Sequence, residues 1–110
     1  MKTLTKNNWS DMLRKDGLSV IKVYANWCGP CKLLKTRFHK WEEEFGSDEV
    51  NFFEIDRDND KEFSTKILKI EALPTILFFM NGKEVNRIRG LSSRIKFMEV
   101  LDKTLSQKGD

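Results

Sequence analysis

Cys28 and Cys31 are the only thiols in these 110 residues, and only Gly29 and Pro30 separate them. Two cysteines at this spacing can form a reactive dithiol, part of a metal site or a structural disulfide. A structural disulfide across so short a loop would restrict little of the unfolded chain, and such bonds are rare in the cytosol, where we expect this chain. The structural disulfide is therefore the weakest of the three interpretations.

Zinc is the main alternative to a reactive dithiol, because closely spaced cysteines are common zinc ligands. A zinc site needs about four ligands, however, and the sequence offers no second cysteine pair and a single histidine, His39, two turns along the following helix. His39 is more typical of a surface residue than of a metal ligand or a base. We expect no metal site within one chain, while a zinc site or iron-sulfur cluster shared between two chains stays open.

The two cysteines lie between a predicted strand and a predicted helix. Residues 18–25, LSVIKVYA, form an apolar, β-branched run typical of a buried strand, and Pro30 suits the first turn of a helix. The unpaired N–H groups and the dipole of that turn would stabilise a thiolate on Cys28. Cys31 follows one turn later on the same face, within disulfide distance. This spacing favours attack by Cys28 and resolution by Cys31.

Apolar residues at helical spacing predict four helices, the first of them short. Asp58 is expected to cap the third helix. The predicted inward-facing residues of the second, third and last helices are Leu34, Phe38, Trp41 and Phe45; Phe63, Ile67 and Ile70; and Phe97, Val100, Leu101 and Leu105. The tail after the last helix, residues 107–110, is expected to fray.

Strands are predicted at residues 18–25, 50–55, 75–80 and 84–89, after a short first strand. Asn81-Gly82 between the last two strands is the strongest local signal for a tight hairpin. Parallel crossovers followed by an antiparallel pair indicate an α/β protein, a three-layer α/β/α sandwich. We expect a central mixed sheet of about five strands flanked by four helices, in a single domain over residues 1–110.

Composition limits the classes of function. No apolar run reaches the length of a membrane span, and the first residues, MKTLTKNNWSDML, contain no stretch that could serve as a signal peptide. We therefore expect a soluble cytoplasmic protein. The net charge of +3 arises from 20 basic and 17 acidic residues that interleave, which indicates solvated faces and no nucleic-acid groove.

Residues 25–32, ANWCGPCK, resemble the active-site sequence of the thioredoxin family. Leu73-Pro74-Thr75, Asn81-Gly82 and Gly90 follow at the family's spacing, and the element order agrees from Trp9 to Leu105. The resemblance implies the thioredoxin fold and a thiol-disulfide oxidoreductase that reduces protein disulfides. It assigns Cys28 as the attacking cysteine and Cys31 as the resolving one, with no cofactor beyond their reversible disulfide.

The resemblance also implies a substrate surface. Pro74 matches the family's cis-proline opposite the dithiol, and the backbone of Leu73 would pair with an extended segment of a client protein. The apolar rim that partners touch would contain Trp27, Gly29, Pro30, Gly90 and Leu91. The implied partners are disulfide-containing client proteins and a thioredoxin-reductase-type flavoprotein or another dithiol donor, and the implied oligomeric state is a monomer.

Lys22 is the sharpest departure from the family pattern. Six residues before the attacking cysteine the family usually has a buried aspartate, and its usual lysine partner on the neighbouring strand is replaced here by Phe52. A buried Lys22 would lose its proton more readily, reach water, or pair with Glu54 or Asp56. We predict an altered redox potential and pH profile. A disulfide oxidant or isomerase, or a partner-binding module on the same fold, are the alternative functions.

Overall fold

One mixed β-sheet organises the chain, of which the computed structural model describes residues 1–13 and 16–107. Within these residues the strand order is β1-β3-β2-β4-β5. β2 pairs in parallel with β3 and antiparallel with β4. The strands are β1 (Lys2–Thr3), β2 (Leu18–Tyr24), β3 (Val50–Asp56), β4 (Thr75–Met80) and β5 (Lys83–Arg89).

Helices cover both faces of this sheet. The side chains of α1 (Trp9–Met12) and a π-helix (Phe63–Ile67) pack on one face, and those of α2 (Gly29–Phe45) and α3 (Arg94–Ser106) pack on the other. The predicted three-layer α/β arrangement, with a five-stranded mixed sheet and four helices, is confirmed. Of the tail expected to fray, residue 107 is the C-cap of α3, and residues 108–110 lie outside the described part.

Alternation along the strands divides the core into two clusters. Val20 faces α2 and α3, whereas its neighbour Ile21 faces α1 and the π-helix. On the first face Trp41 stacks on Phe97, with ring centroids 4.3 Å apart and planes 11° apart. Buried aromatic pairs of this kind stabilise a fold beyond the area that they remove from water, by about 0.5–1.5 kcal/mol. This aromatic cluster fixes α2, and hence the residues at its N-terminus, on the sheet.

The turn between β4 and β5 is the predicted tight hairpin. Asn81 and Gly82 both have left-handed backbone conformations, with φ of 52° and 87°. Two consecutive residues of positive φ define the turn that matches the twist of antiparallel strands, and Asn-Gly is the pair that adopts it most readily. The Asn81 side chain also accepts a hydrogen bond from the N–H of Gly17, at 2.9 Å.

The third helix differs from its prediction. Ile67 was expected to face inward but is 60% exposed, and Leu68 is buried in its place. The segment is a π-helix in which Leu68 N–H donates to the carbonyl of Phe63, five residues earlier, so that a spacing of four no longer returns to one face. The predicted cap is also wrong, because the carboxylate of Asp58 accepts a hydrogen bond from Trp27. None of the helices in the described ranges combines the length and apolar character that a membrane span requires.

Candidate active site

Cys28 and Cys31 lie at the start of α2, as the sequence predicts. Cys28 is the N-cap residue, in an extended conformation, and Pro30 lies in the first turn. The two sulfurs form a disulfide with Cα atoms 5.3 Å apart, inside the usual range for such bonds. The backbone N–H of Cys31 also donates to the Sγ of Cys28, at 3.2 Å. An N–H group aimed at this sulfur would stabilise a thiolate there after reduction.

The disulfide is nearly buried within an apolar group. Cys28 is 6% exposed and Cys31 is 3% exposed, and both pack with Ala25, Tyr24 and Leu73. By contrast, Trp27, directly before Cys28, is 65% exposed, and Gly29 and Pro30 are exposed as well. The sulfurs are thus surrounded by an accessible rim that another protein can contact.

Pro74 and its neighbours lie beside the disulfide. The Leu73-Pro74 peptide bond is cis, as the resemblance implied, and Pro74 is buried. The carbonyl of Pro74 accepts a hydrogen bond of 2.7 Å from Gly90 N–H, which holds Gly90 next to it, with exposed Leu91 following. The structure therefore brings the predicted rim residues to one end of the sheet. Their roles in binding clients stay predictions.

A groove of about 390 Å³ runs along the Cys28 side of the disulfide. Trp27 forms one wall, where its indole Nε1 donates to Asp58 at 2.7 Å and the Arg57 guanidinium lies 5.5 Å from its ring centroid. Sequence reasoning missed Arg57 and Asp58, since nothing in the local pattern links them to Trp27. The full lining is Trp27, Cys28, Gly29, Pro30, Arg57, Ile70, Glu71, Ala72 and Leu73. We call this cleft the client groove.

A second cavity, of about 200 Å³, lies on the Cys31 side. Its walls come from β2, β3, the β2 to α2 connection and the first turns of α2, and they carry several charges. The lining residues are Lys22, Tyr24, Ala25, Asn26, Cys31, Lys32, Lys35 and Glu54. We call it the Cys31 cavity.

Lys22 is buried at the base of this cavity, with only 2% of its side chain exposed. Its Nζ lies 3.6 Å from Oε1 of Glu54 and 5.1 Å from the centroid of the Tyr24 ring. Lys22 and Glu54 are direct partners in the β2–β3 register, so adjacent strands place the two side chains together. Of the two acids expected as partners for Lys22, the structure selects Glu54.

Burial shifts two acid-base equilibria beside the disulfide. It lowers the pKa of Lys22 below its ordinary value, Glu54 opposes that shift, and nearby Lys35 adds a smaller lowering. Burial also raises the pKa of Tyr24, and the negative charges of Glu54 and Asp56 raise it further. The Tyr24 phenol therefore keeps its proton at neutral pH.

Metal binding finds no support in the geometry. Across residues 1–13 and 16–107, no group of three or more His, Cys, Asp or Glu side chains is arranged to hold an ion. His39, the one histidine, is exposed on α2. The arrangement is suited to thiol-disulfide exchange by the cysteines themselves.

Comparison with known proteins decides the family. The sequence model of the Thioredoxin family matches residues 1–103. The chain belongs to the thioredoxin family. Thioredoxin-1 of Saccharomyces cerevisiae is 34% identical to it over 86 residues, which cover 78% of this chain and 81% of the relative. The X-ray structure of Fasciola hepatica thioredoxin superposes with a TM-score of 0.83 at 30% identity, covering 94% of this chain and 98% of that one.

Other relatives are much longer. Thioredoxin domain-containing protein 3 of Mus musculus is 35% identical over 89 residues, which cover 81% of this chain and 15% of the relative. Thioredoxin-family proteins are protein-disulfide oxidoreductases that work through their own disulfide, without a cofactor. Cys28 and Cys31 match the cysteine motif of the thioredoxin family. The Lys22–Glu54 pair departs from it, because the family usually has a buried aspartate at the position of Lys22.

Proposed function

We propose that this chain is a thiol-disulfide oxidoreductase that reduces disulfides in client proteins through reversible oxidation of Cys28 and Cys31. The observation that carries the proposal is the disulfide at the start of α2, where an N–H group faces the Sγ of Cys28. Family membership supports the same activity.

The reaction proceeds in two exchanges. In the dithiol form, the Cys28 thiolate attacks one sulfur of the client disulfide, forms a mixed disulfide and releases the other client sulfur as a thiolate. The thiolate of Cys31 then attacks Sγ of Cys28, which re-forms the intramolecular disulfide and releases the second client thiolate. The chain loses two electrons, the client gains them, and the two client thiolates take up protons.

Clients bind in the client groove and across the rim beside it. The exposed ring of Trp27 offers apolar contact, and the backbone at Leu73 and Pro74 offers an edge for an extended client segment. Gly29 and Pro30 leave the approach to Cys28 open, since a Cβ at Gly29 would have no atom within 4 Å apart from its chain neighbours and the backbone of its own helix. Gly90 and Leu91 continue the rim on the far side of Pro74.

In this proposal the chain functions as a monomeric redox carrier in the cytoplasm. A thioredoxin-reductase-type flavoprotein or another dithiol donor returns it to the dithiol form. Family membership supports exchange with protein partners. We expect neither a nucleic acid nor a membrane among its partners.

A disulfide oxidant or isomerase is the second candidate, and Lys22 favours it. A cation near the cysteines would stabilise thiolates and hence the reduced form, which makes the disulfide a stronger oxidant. The ion pair with Glu54 offsets this effect, because the carboxylate balances most of the charge. Equilibration with glutathione separates the candidates: a reductase holds its disulfide more stably than an oxidant does.

Disulfide reduction in insulin, with a chemical dithiol as electron donor, tests the main proposal. Cys28→Ser should abolish turnover, because it removes the attacking sulfur, and Cys31→Ser should slow it, because the donor must then resolve the mixed disulfide in place of Cys31. Once reduced and freed of the dithiol donor, Cys31→Ser should accumulate a mixed disulfide with insulin, and Cys28→Ser should not. Reduction that survives the loss of Cys28 would contradict the assignment.

A further inference from the structure

Cys31 must lose its thiol proton before it can resolve the mixed disulfide. At 3% exposure it has little direct access to bulk water, and an apolar setting disfavours a thiolate. The helix N-terminus favours the thiolate of Cys28, whereas Cys31 lies one turn inside the helix. A proton acceptor close to Cys31 would therefore accelerate the second exchange.

The lining of the Cys31 cavity identifies that acceptor. Ammonium groups, such as those of Lys32 and Lys35, only donate hydrogen bonds, and the amide of Asn26 is not a base. Burial lowers the pKa of Lys22, but its ion pair with Glu54 opposes the loss of its proton. The phenol of Tyr24 keeps its proton, because burial and two nearby carboxylates raise its pKa. Among the described residues that line the cavity, Glu54 supplies the single carboxylate.

We propose that the Glu54 carboxylate accepts the proton of Cys31 through water in this cavity, and that Lys22 is the positioning residue that holds Glu54 there. The inference rests on the proposed function and names the proton path of its second step. The cavity, at about 200 Å³, has room for several water molecules. Glu54 is 22% exposed, so it can pass the proton on to solvent.

The step balances as follows. The S–H bond of Cys31 breaks, and its proton moves through a water molecule to the Glu54 carboxylate. The resulting thiolate forms a bond to Sγ of Cys28 as the bond between Cys28 and the client sulfur breaks. The client leaves as a thiolate and takes a proton from solvent, and Glu54 returns its own proton to solvent, which restores the carboxylate.

Charged groups face Glu54 from the elements that pack around it. Lys22 lies across the register on β2, and Lys32 and Lys35 face the cavity from α2. Asp56, two residues further on β3, opposes them, and the partner of Glu54 on β1 is the neutral Thr3. Three lysines and one further carboxylate are therefore the charged groups around Glu54.

A chromogenic aromatic disulfide in rapid mixing separates the two exchanges. Reduced protein releases one coloured thiolate when Cys28 attacks and a second when Cys31 resolves, so each step has its own rate. Glu54→Gln should slow the second release about tenfold or more at acidic and neutral pH and leave the first unchanged. The difference in second-release rate between Glu54→Gln and the wild type should become smaller towards about pH 9, because hydroxide can then remove the Cys31 proton without Glu54.

Three variants keep this test decisive. Glu43→Gln, which removes one carboxylate from an exposed position on α2, should match the wild type in both releases. Glu54→Asp, which keeps the acid, should restore part of the second release, so that a folding defect of the glutamine variant cannot imitate the result. Lys22→Met should slow the second release, but less than Glu54→Gln does, because it displaces the acceptor without removing it.

Two outcomes would overturn the proposal. One is a second release in Glu54→Gln that follows the wild-type profile at every pH. The other is a larger deficit in Lys22→Met than in Glu54→Gln, which would make the amine of Lys22 the acceptor. A wild-type protein that gives no first release would instead contradict the proposed function itself, so the two failures are distinguishable.

Discussion

The two sides of the disulfide differ in almost every physical respect. The client groove, on the Cys28 side, has an exposed aromatic ring, two small helix-start residues and a cis-proline loop around it. The Cys31 cavity, on the other side, is about half as large and carries three lysines, a glutamate and a tyrosine. We assign contact with clients to the first region and proton transfer to the second, and a single turn of α2 separates them.

Under the proposed roles, this difference implies that client docking and proton transfer depend on separate sets of residues around one pair of sulfurs. The groove keeps the residues that the family resemblance implies, whereas the cavity replaces the family's buried acid with Lys22 and takes its carboxylate from Glu54 on the next strand. Each of the predictions below changes a residue of one region only.

Trp27→Ala should have the largest effect of the three. Removal of an exposed aromatic contact beside Cys28 should lower the rate of mixed-disulfide formation with a protein client by about tenfold, the loss typical of a central interface residue. With a small aromatic disulfide, which does not span the groove, the rate should change little. Stopped-flow measurements with both substrates check this. An equal loss for both substrates would place Trp27 in the chemistry and outside client contact.

Lys22→Met should stabilise the fold by about 1 kcal/mol at neutral pH, because it removes a cation whose burial costs free energy while Glu54 stays partly hydrated. Burial lowers the pKa of Lys22 below 10.5. At pH values below this lowered pKa, Lys22 is charged and the free-energy cost of burying its charge is present in full. It fades as pH rises through that pKa towards 10.5, and the advantage of the variant should shrink over the same range.

Urea unfolding at neutral and alkaline pH measures this advantage. Lys35→Met is the matched control, because it removes a lysine from an exposed position on the same cavity and should change stability by less than about 0.5 kcal/mol. A Lys22→Met protein that is less stable than the wild type at neutral pH would show that the ion pair, and not the burial, dominates.

Asp58→Asn should have the smallest effect. The carboxylate holds the indole of Trp27 through a hydrogen bond of 2.7 Å, and the neutral amide can keep the contact without its charge. A loss of about 0.5–1 kcal/mol in orienting the ring corresponds to a decrease of two- to fivefold in the rate of client attack. Mixed-disulfide formation with a protein client is the readout. A loss as large as that of Trp27→Ala would give Asp58 a direct role in client binding.

The client groove could be predicted from the sequence more completely than the Cys31 cavity. Cys28, Gly29, Pro30 and Trp27 are contiguous, so a local motif specifies both the helix start and the rim. The partner of Lys22 depends instead on strand register. The sequence offers Glu54 and Asp56 as two possible partners, and only the pairing of β2 with β3 decides between them.

The third helix shows a different limit. A repeat of 3.6 residues was assumed for residues 63–70, and the π-helical turn adds a residue that moves Ile67 to the surface and Leu68 into the core. The prediction for Asp58 is wrong for a similar reason. Its local position suits a helix cap, and its actual partner, Trp27, is 31 residues away in the chain. Contacts of this kind are set by tertiary packing and leave no local pattern.

The most direct test of the division between the two regions measures both exchanges in Trp27→Ala and Glu54→Gln with the same protein client. The predicted result is a crossed pattern: Trp27→Ala slows only the formation of the mixed disulfide, and Glu54→Gln slows only its resolution. If either variant slows both steps to a similar extent, docking and proton transfer are not separate, and the assignment of the two regions is wrong.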